Sequence, residues 1–213
     1  MRSFWLFLMF LAFLAGCSQQ NESEPPQATV TILSAEEAPR VAALGDSVAK
    51  DLLKTLKHEL VTTIQQAGVV EAIKVCNVKA LPLTQQVAQQ FGTKVDVKRT
   101  SFKIRNPKNQ PDDYERKALE FFQQALENGQ PLPSHLIQKI EQKDHTVYRY
   151  YMPLKVAALC VNCHGDPGHM PEELKQKLAQ LYPQDQATGY KAGDFRGVIR
   201  VEFKDETIVN RIF

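Results

Sequence analysis

Five contiguous residues, Cys160-Val161-Asn162-Cys163-His164, constrain this chain more than any other feature of it. Two thiols three positions apart fall on a single helical turn, and an imidazole follows directly. This is the attachment signature of one covalent c-type haem. Each thiol adds to a vinyl group on the porphyrin edge, and His164 rises beneath the iron as its proximal ligand. A thioredoxin-like dithiol would expect a βαβ context that the sequence does not offer. A zinc site would expect a second Cys-x-x-Cys or a His-x-x-x-His, and neither occurs. A structural Cys160–Cys163 disulfide in an oxidising compartment is the remaining bland reading.

The N-terminus supplies the compartment. Residues 1–16 carry one Arg, an apolar run from Phe4 to Leu14 and then small residues, the layout of a secretory signal. The run is short of the roughly 20 residues that a membrane-spanning helix needs. Leu14-Ala15-Gly16-Cys17 reads as a lipobox, with Cys17 acylated and becoming the new N-terminus. Residues 17–29 then form a flexible tether, and residues 30–213 one folded domain. The expected location is the cell envelope, lipid-anchored on the periplasmic side. Ser18, in place of an Asp retention signal, favours the outer membrane. The 26 Lys and Arg nearly balance the 24 Asp and Glu, so nothing electrostatic points to nucleic acid.

Helical spacing dominates the first half. Asp46-Ser47 can cap a helix carrying Val48, Leu52, Leu53, Leu56, Leu60 and Ile64 up to Gly68. A short helix over 69–76 and another over 83–91, closed by Gly92, follow. Val95, Val97 and Arg99 alternate with Lys94, Asp96 and Lys98 as in a strand. Two prolines and two asparagines make 106–111 a loop. Asp112/Asp113 can cap the next helix, with Tyr114, Ala118, Leu119, Phe122 and Leu126, stopped by Gly129. Later, 146–156 reads as a strand. Ile199, Val201 and Phe203 alternate with Arg200, Glu202 and Lys204, predicting a half-buried strand with a wet face. Early helices and later strands predict an α+β domain with a small antiparallel sheet.

Cysteine use leaves one thiol over. With Cys17 assigned to lipid and Cys160 and Cys163 to thioethers, Cys76 stands unpaired in an oxidising compartment. It is either an axial thiolate for the iron or a small buried residue beside Val69, Ala72 and Ile73. Met152, Met170, His58, His135, His145 and His169 are weaker candidates for the sixth ligand.

These landmarks together resemble a family of single-haem c-type domains with a PAS-like fold, found alone in exported proteins and as sensor regions of bacterial signalling proteins. The resemblance spans most of 45–203. It rests on Cys76-Asn77, Arg99-Thr100-Ser101, Arg105-Asn106-Pro107 with Asn109 and Pro111, and Tyr150 to Pro153. The haem motif with Gly165 follows, then Tyr182-Pro183, Asp185, Ala187, Gly189-Tyr190, Gly193-Asp194 and Gly197. It implies a PAS-like sheet with flanking helices, and His164 and Cys76 as the two axial ligands. Arg99 and Arg105 suit propionate carboxylates, or else form a solvated strand rim. Thiolate ligation implies a low reduction potential and no open position for a substrate, hence no enzyme. The expected roles are envelope electron transfer or redox sensing with a separate redox or signalling partner, or CO/NO sensing by ligand exchange. A haem-free redox lipoprotein is the alternative from another class.

Overall fold

The computed structural model describes residues 29–31, 33–141 and 143–204. The leader, Cys17 and nearly all of the tether lie outside them. Ser34 and Glu37 open the first long element by exchanging hydrogen bonds, Ser34 N to Glu37 Oε2 at 2.8 Å and Glu37 N to Ser34 Oγ at 3.1 Å. That reciprocal pattern is a capping box. This capping turn leads into a helix that runs from Glu37, nine residues before the Asp46-Ser47 expected from sequence, because Ala-rich 38–43 continues it upstream.

In chain order the elements are β1 (Thr29–Thr31), α1 (Glu37–Lys74), a π-helical turn (Val75–Lys79), α2 (Ala80–Phe91), β2 (Val95–Thr100) and α3 (Asp113–Glu127). Then come β3 (Leu136–Glu141), β4 (Thr146–Lys155), α4 (Val161–His164), α5 (Glu172–Leu181) and β5 (Phe195–Phe203). α1 breaks at Gly68, whose φ of +84° is left-handed backbone, so two helical segments meet there at a kink and the expected division at that glycine holds. β1 takes Thr29, the last residue assigned to the tether. α3 starts as expected: Asp112 and Glu115 cap each other.

All strands are antiparallel, in the order β1-β3-β4-β5-β2. α1 and α2 cover one face, where Val41, Val48, Leu52 and Val87 meet Tyr148, Tyr150, Ile199, Val201 and Phe203. Adding a Cβ to Gly45 would drive it to 2.2 Å from the Tyr150 ring, so α1 crosses the sheet only because that position is bare. α3 covers the other face through Ala118, Leu119 and Phe122 against Tyr151 and Val198. The architecture is a single α+β domain built on a five-stranded antiparallel sheet.

One expectation is corrected. The predicted wet face of β5 is dry: Arg200 is 6 % and Glu202 8 % exposed. α3 closes over them and brings fully buried Glu115, which accepts from Arg200 Nε at 3.0 Å and Lys98 Nζ at 2.7 Å. Charges enter an interior only with partners, and alternation along one strand does not reveal partners on another element.

Candidate functional site

The cleft beside the Cys-x-x-Cys-His turn is assembled from distant segments. Cys160 closes a 3-10 turn over Ala158–Cys160 and His164 ends α4, so both face the same way, four residues apart. Each lines a cavity of about 210 Å³ together with Cys76, Arg99, Arg105, Tyr182 and Arg196. That volume is below the roughly 300–1,000 Å³ of pockets that enclose a drug-sized ligand. A larger occupant would leave part of itself outside the rim.

The motif is clamped from behind. His164 Nδ1 lies 2.7 Å from the Ala187 carbonyl, which makes Nδ1 the protonated nitrogen and leaves Nε2 with its lone pair. Tyr190 N donates to the His164 carbonyl at 2.9 Å and Gly189 N to that of Gly165 at 2.8 Å. Burial, then the positive charges of Arg105 and Arg196, push the imidazole down to a pKa of about 3. His164 is therefore neutral at physiological pH, as a metal ligand must be.

Cys76 reaches the cleft from the π-helical turn, a rare geometry that recurs at functional sites. Burial raises its thiol pKa, with Arg99 and Arg105 pulling the other way. In the protein alone it stays a thiol, so it is no ready nucleophile; a bound cation would be needed to deprotonate it. Cys163 behaves differently from Cys160. It packs against the apolar cluster of Ile73, Met170, Leu174, Leu178 and Tyr182 between α1 and α5, and burial lifts its pKa to about 11. All three described cysteines are free thiols.

The two expected arginines separate. Arg105, 8 % exposed, donates Nε to Asp185 Oδ2 at 2.9 Å and Nη2 to the carbonyls of Cys163 and Ala187. It is a strut tying the motif to the 182–190 segment. Arg99 also lines the cleft, yet its side chain makes no hydrogen bond or ion pair among the described residues. Neither forms a solvated rim.

Sequence reasoning missed Arg196. Gly197 pairs with Leu154 and Phe195 with Lys155, so Arg196 is the extra residue of a β-bulge. The bulge resets the alternation: Phe195 and Val198 both pack toward α3, and Arg196 turns to the opposite side. Read in strict period two, it would have shared a face with Arg200. Gly197 was the one available signal. At φ +145° it lies where a Cβ would come within 2.2 Å of the Thr100 carbonyl oxygen.

Of the other candidate ligands, Met152 and Met170 are buried in apolar clusters, and none of His58, His135, His145 and His169 lines the cleft. No group of three or more His, Cys, Asp or Glu among the described residues is arranged to hold a metal ion. The donor set fits a haem: a neutral imidazole with Nε2 free, a thiol on the motif, a second thiol lining the same cleft, and a cation with no partner among the described residues.

A family model described as Tll0287-like matches residues 21–203. Among solved structures, that of the cyanobacterial heme-protein Tll0287 superposes with a TM-score of 0.52 at 22 % identity, covering 81 % of this chain and 97 % of that one. No curated protein matches the sequence.

Proposed function

The chain belongs to the Tll0287-like family, and from that premise we propose that it is a haem protein carrying one c-type haem on Cys160 and Cys163. His164 and Cys76 are the residues that would ligate its iron. The observation that carries this reading is the pairing of His164, neutral and hydrogen-bonded through Nδ1 to Ala187, with Cys76 in the same cleft. The superposed structure is that of a heme-protein, which supports it.

When bound, the haem supplies a one-electron iron centre, and thiolate ligation keeps its potential low. The chain's own residues do the rest. Ala187 fixes the imidazole tautomer and ring direction. Arg105 holds the motif backbone to Asp185 and Ala187. Covalent attachment calls for the Cys163 thiol to leave its apolar cluster and turn toward the cleft, a rotamer change on a four-residue helix.

With His164 and Cys76 both holding the iron, it would have no position left for a substrate. We read the protein as an electron-transfer or redox-sensing module rather than an enzyme. Its setting is the cell envelope, through the lipid anchor on Cys17. None of the helices among the described residues is long and apolar enough to cross a membrane. CO or NO sensing is the second reading, favoured by the presentation of Cys76 on a π-helical turn, which lacks the regular i to i−4 ladder.

Absorption spectra of wild-type and Cys76→Ala protein, made with haem-attachment machinery, test the assignment. Wild type is expected to give a thiolate-type ferric spectrum that the variant loses. Identical spectra would remove Cys76 from the iron. Protein recovered without covalent haem would overturn the haem reading itself.

A further inference from the structure

Charge in the cleft does not balance. Arg99, Arg105 and Arg196 approach closely enough that Arg105 and Arg99 both disfavour the charged form of Arg196. Among the described residues, Asp185 is the one carboxylate paired with any of them, through Arg105. Leaving aside Lys155, which lines the mouth of the cleft but is exposed to water, three guanidiniums against one carboxylate leave two positive charges over, and the described lining contains no Asp or Glu.

The two unbalanced cations are identifiable. Arg105 is spent on Asp185 and two backbone carbonyls. Arg99 has no side-chain partner among the described residues, and burial disfavours its charge. Arg196 is positioned but not neutralised. Its Nη1 donates to Ser101 Oγ at 2.6 Å and to the Lys103 carbonyl at 3.0 Å, and its guanidinium lies 5.3 Å from the Tyr190 ring centroid. These contacts aim the group without cancelling its charge, and a bulge directs it into the cleft. A fold does not bury two such groups without a compensating anion.

Resting on the haem reading above, we infer that Arg99 and Arg196 bind the two propionate carboxylates of the haem, one each, and that Arg105 does not. The cleft thus selects a dianionic porphyrin before any thioether forms. Guanidinium forks match carboxylates in shape as well as charge. Arg99 approaches from β2 and Arg196 from β5, adjacent strands whose ends meet at Thr100 and Val198, so the two anchors sit on one rigid edge.

The test uses the full chain with Cys160→Ala and Cys163→Ala, so that binding is reversible. Iron protoporphyrin IX and its dimethyl ester are titrated onto it. The free acid is expected to bind on the order of a hundredfold more tightly than the ester, about tenfold per charge-assisted carboxylate contact. Arg99→Gln and Arg196→Gln should each remove part of that ratio, and the double variant all of it. Equal affinity for acid and ester, or a ratio that survives the double substitution, would overturn the inference while leaving haem binding intact. Failure of both porphyrins to bind would overturn the haem reading, and the inference with it. Because the ester comparison on the unsubstituted cleft stands alone, loss of folding in an arginine variant does not blunt the test.

Discussion

Arginine appears in two opposite arrangements on this sheet. Toward α3, Arg200 meets Glu115 at 3.0 Å and Asp96 at 2.7 Å, while Arg149 meets Glu202 at 2.6 Å and Asp112 at 2.8 Å. Around the cleft, Arg99 makes no ion pair among the described residues, and Arg196 hydrogen-bonds only neutral groups there, feeling Asp185 without pairing with it. Both sets are substantially withdrawn from water, so exposure does not separate them. Balance does. Where every guanidinium has its carboxylate, the charges serve to fasten α3 to the sheet. Where cations are left over, the protein is incomplete until something anionic arrives.

The sharpest way to break that distinction is to unbalance the balanced side. Glu115 is fully buried between Arg200 and Lys98. Glu115→Gln keeps the shape and removes the charge, and it also weakens the cap on α3. Removing one partner of a buried ion pair costs about 3–5 kcal/mol. Urea denaturation should show a loss in this range with an unchanged m-value. A loss below about 1 kcal/mol, the range of exposed pairs, would mean that the network is ornamental and that pairing does not mark structural arginines.

How much of this contrast the sequence disclosed follows from how local each feature is. The Cys-x-x-Cys-His turn is contiguous, and the Asp112–Glu115 cap is a four-residue pattern, so both were legible. The α+β class and β2 followed from periodicity. The burial of Arg200 and Glu202 was not legible, because a strand's alternation says which side chains share a face and not what lies above it. Arg196 was hidden by a one-residue bulge that reverses the phase of everything before it. β3 escaped because Gln138 and Lys139 interrupt its apolar pattern; Gln138 is nevertheless buried, bonded to Tyr151 and to the Tyr114 carbonyl. α5 carries Leu174, Leu178 and Leu181 at helical spacing, a pattern that is local and therefore legible in the sequence.

Acid sharpens the comparison on a third carboxylate. Glu37 accepts from Tyr148, from Lys139 at 2.9 Å and from Ser34 N at 2.8 Å. The Tyr148 hydroxyl, then the Ser34 amide and Lys139, hold its pKa down to about 2 from 4.5. The folded pKa lies below the unfolded one, so this stabilisation is fully present above pH 4.5 and is lost as pH falls toward 2. With the side chain about a quarter exposed, roughly 2 kcal/mol is the expected contribution. Glu37→Gln should be less stable than wild type at pH 6 and converge with it near pH 2. Parallel acid-unfolding curves for the two proteins would show that Glu37 is not held this way.

The smallest expected effect is the most discriminating, because its sign is reversed. In haem-free protein, Arg99→Met replaces an unpartnered, largely buried cation with an apolar side chain of similar length. It should raise stability by about 1 kcal/mol, since a charge without a partner contributes only its desolvation cost. Arg200→Met, on the balanced side of the same sheet, should lower stability by leaving Glu115 and Asp96 without their guanidinium. Loading with haem should then reverse the first result and not the second: Arg99→Met becomes destabilising once a carboxylate occupies the cleft. If both substitutions destabilise the haem-free chain alike, Arg99 already has its compensation within the protein. The division between structural and ligand-seeking arginines would then fail at its strongest case.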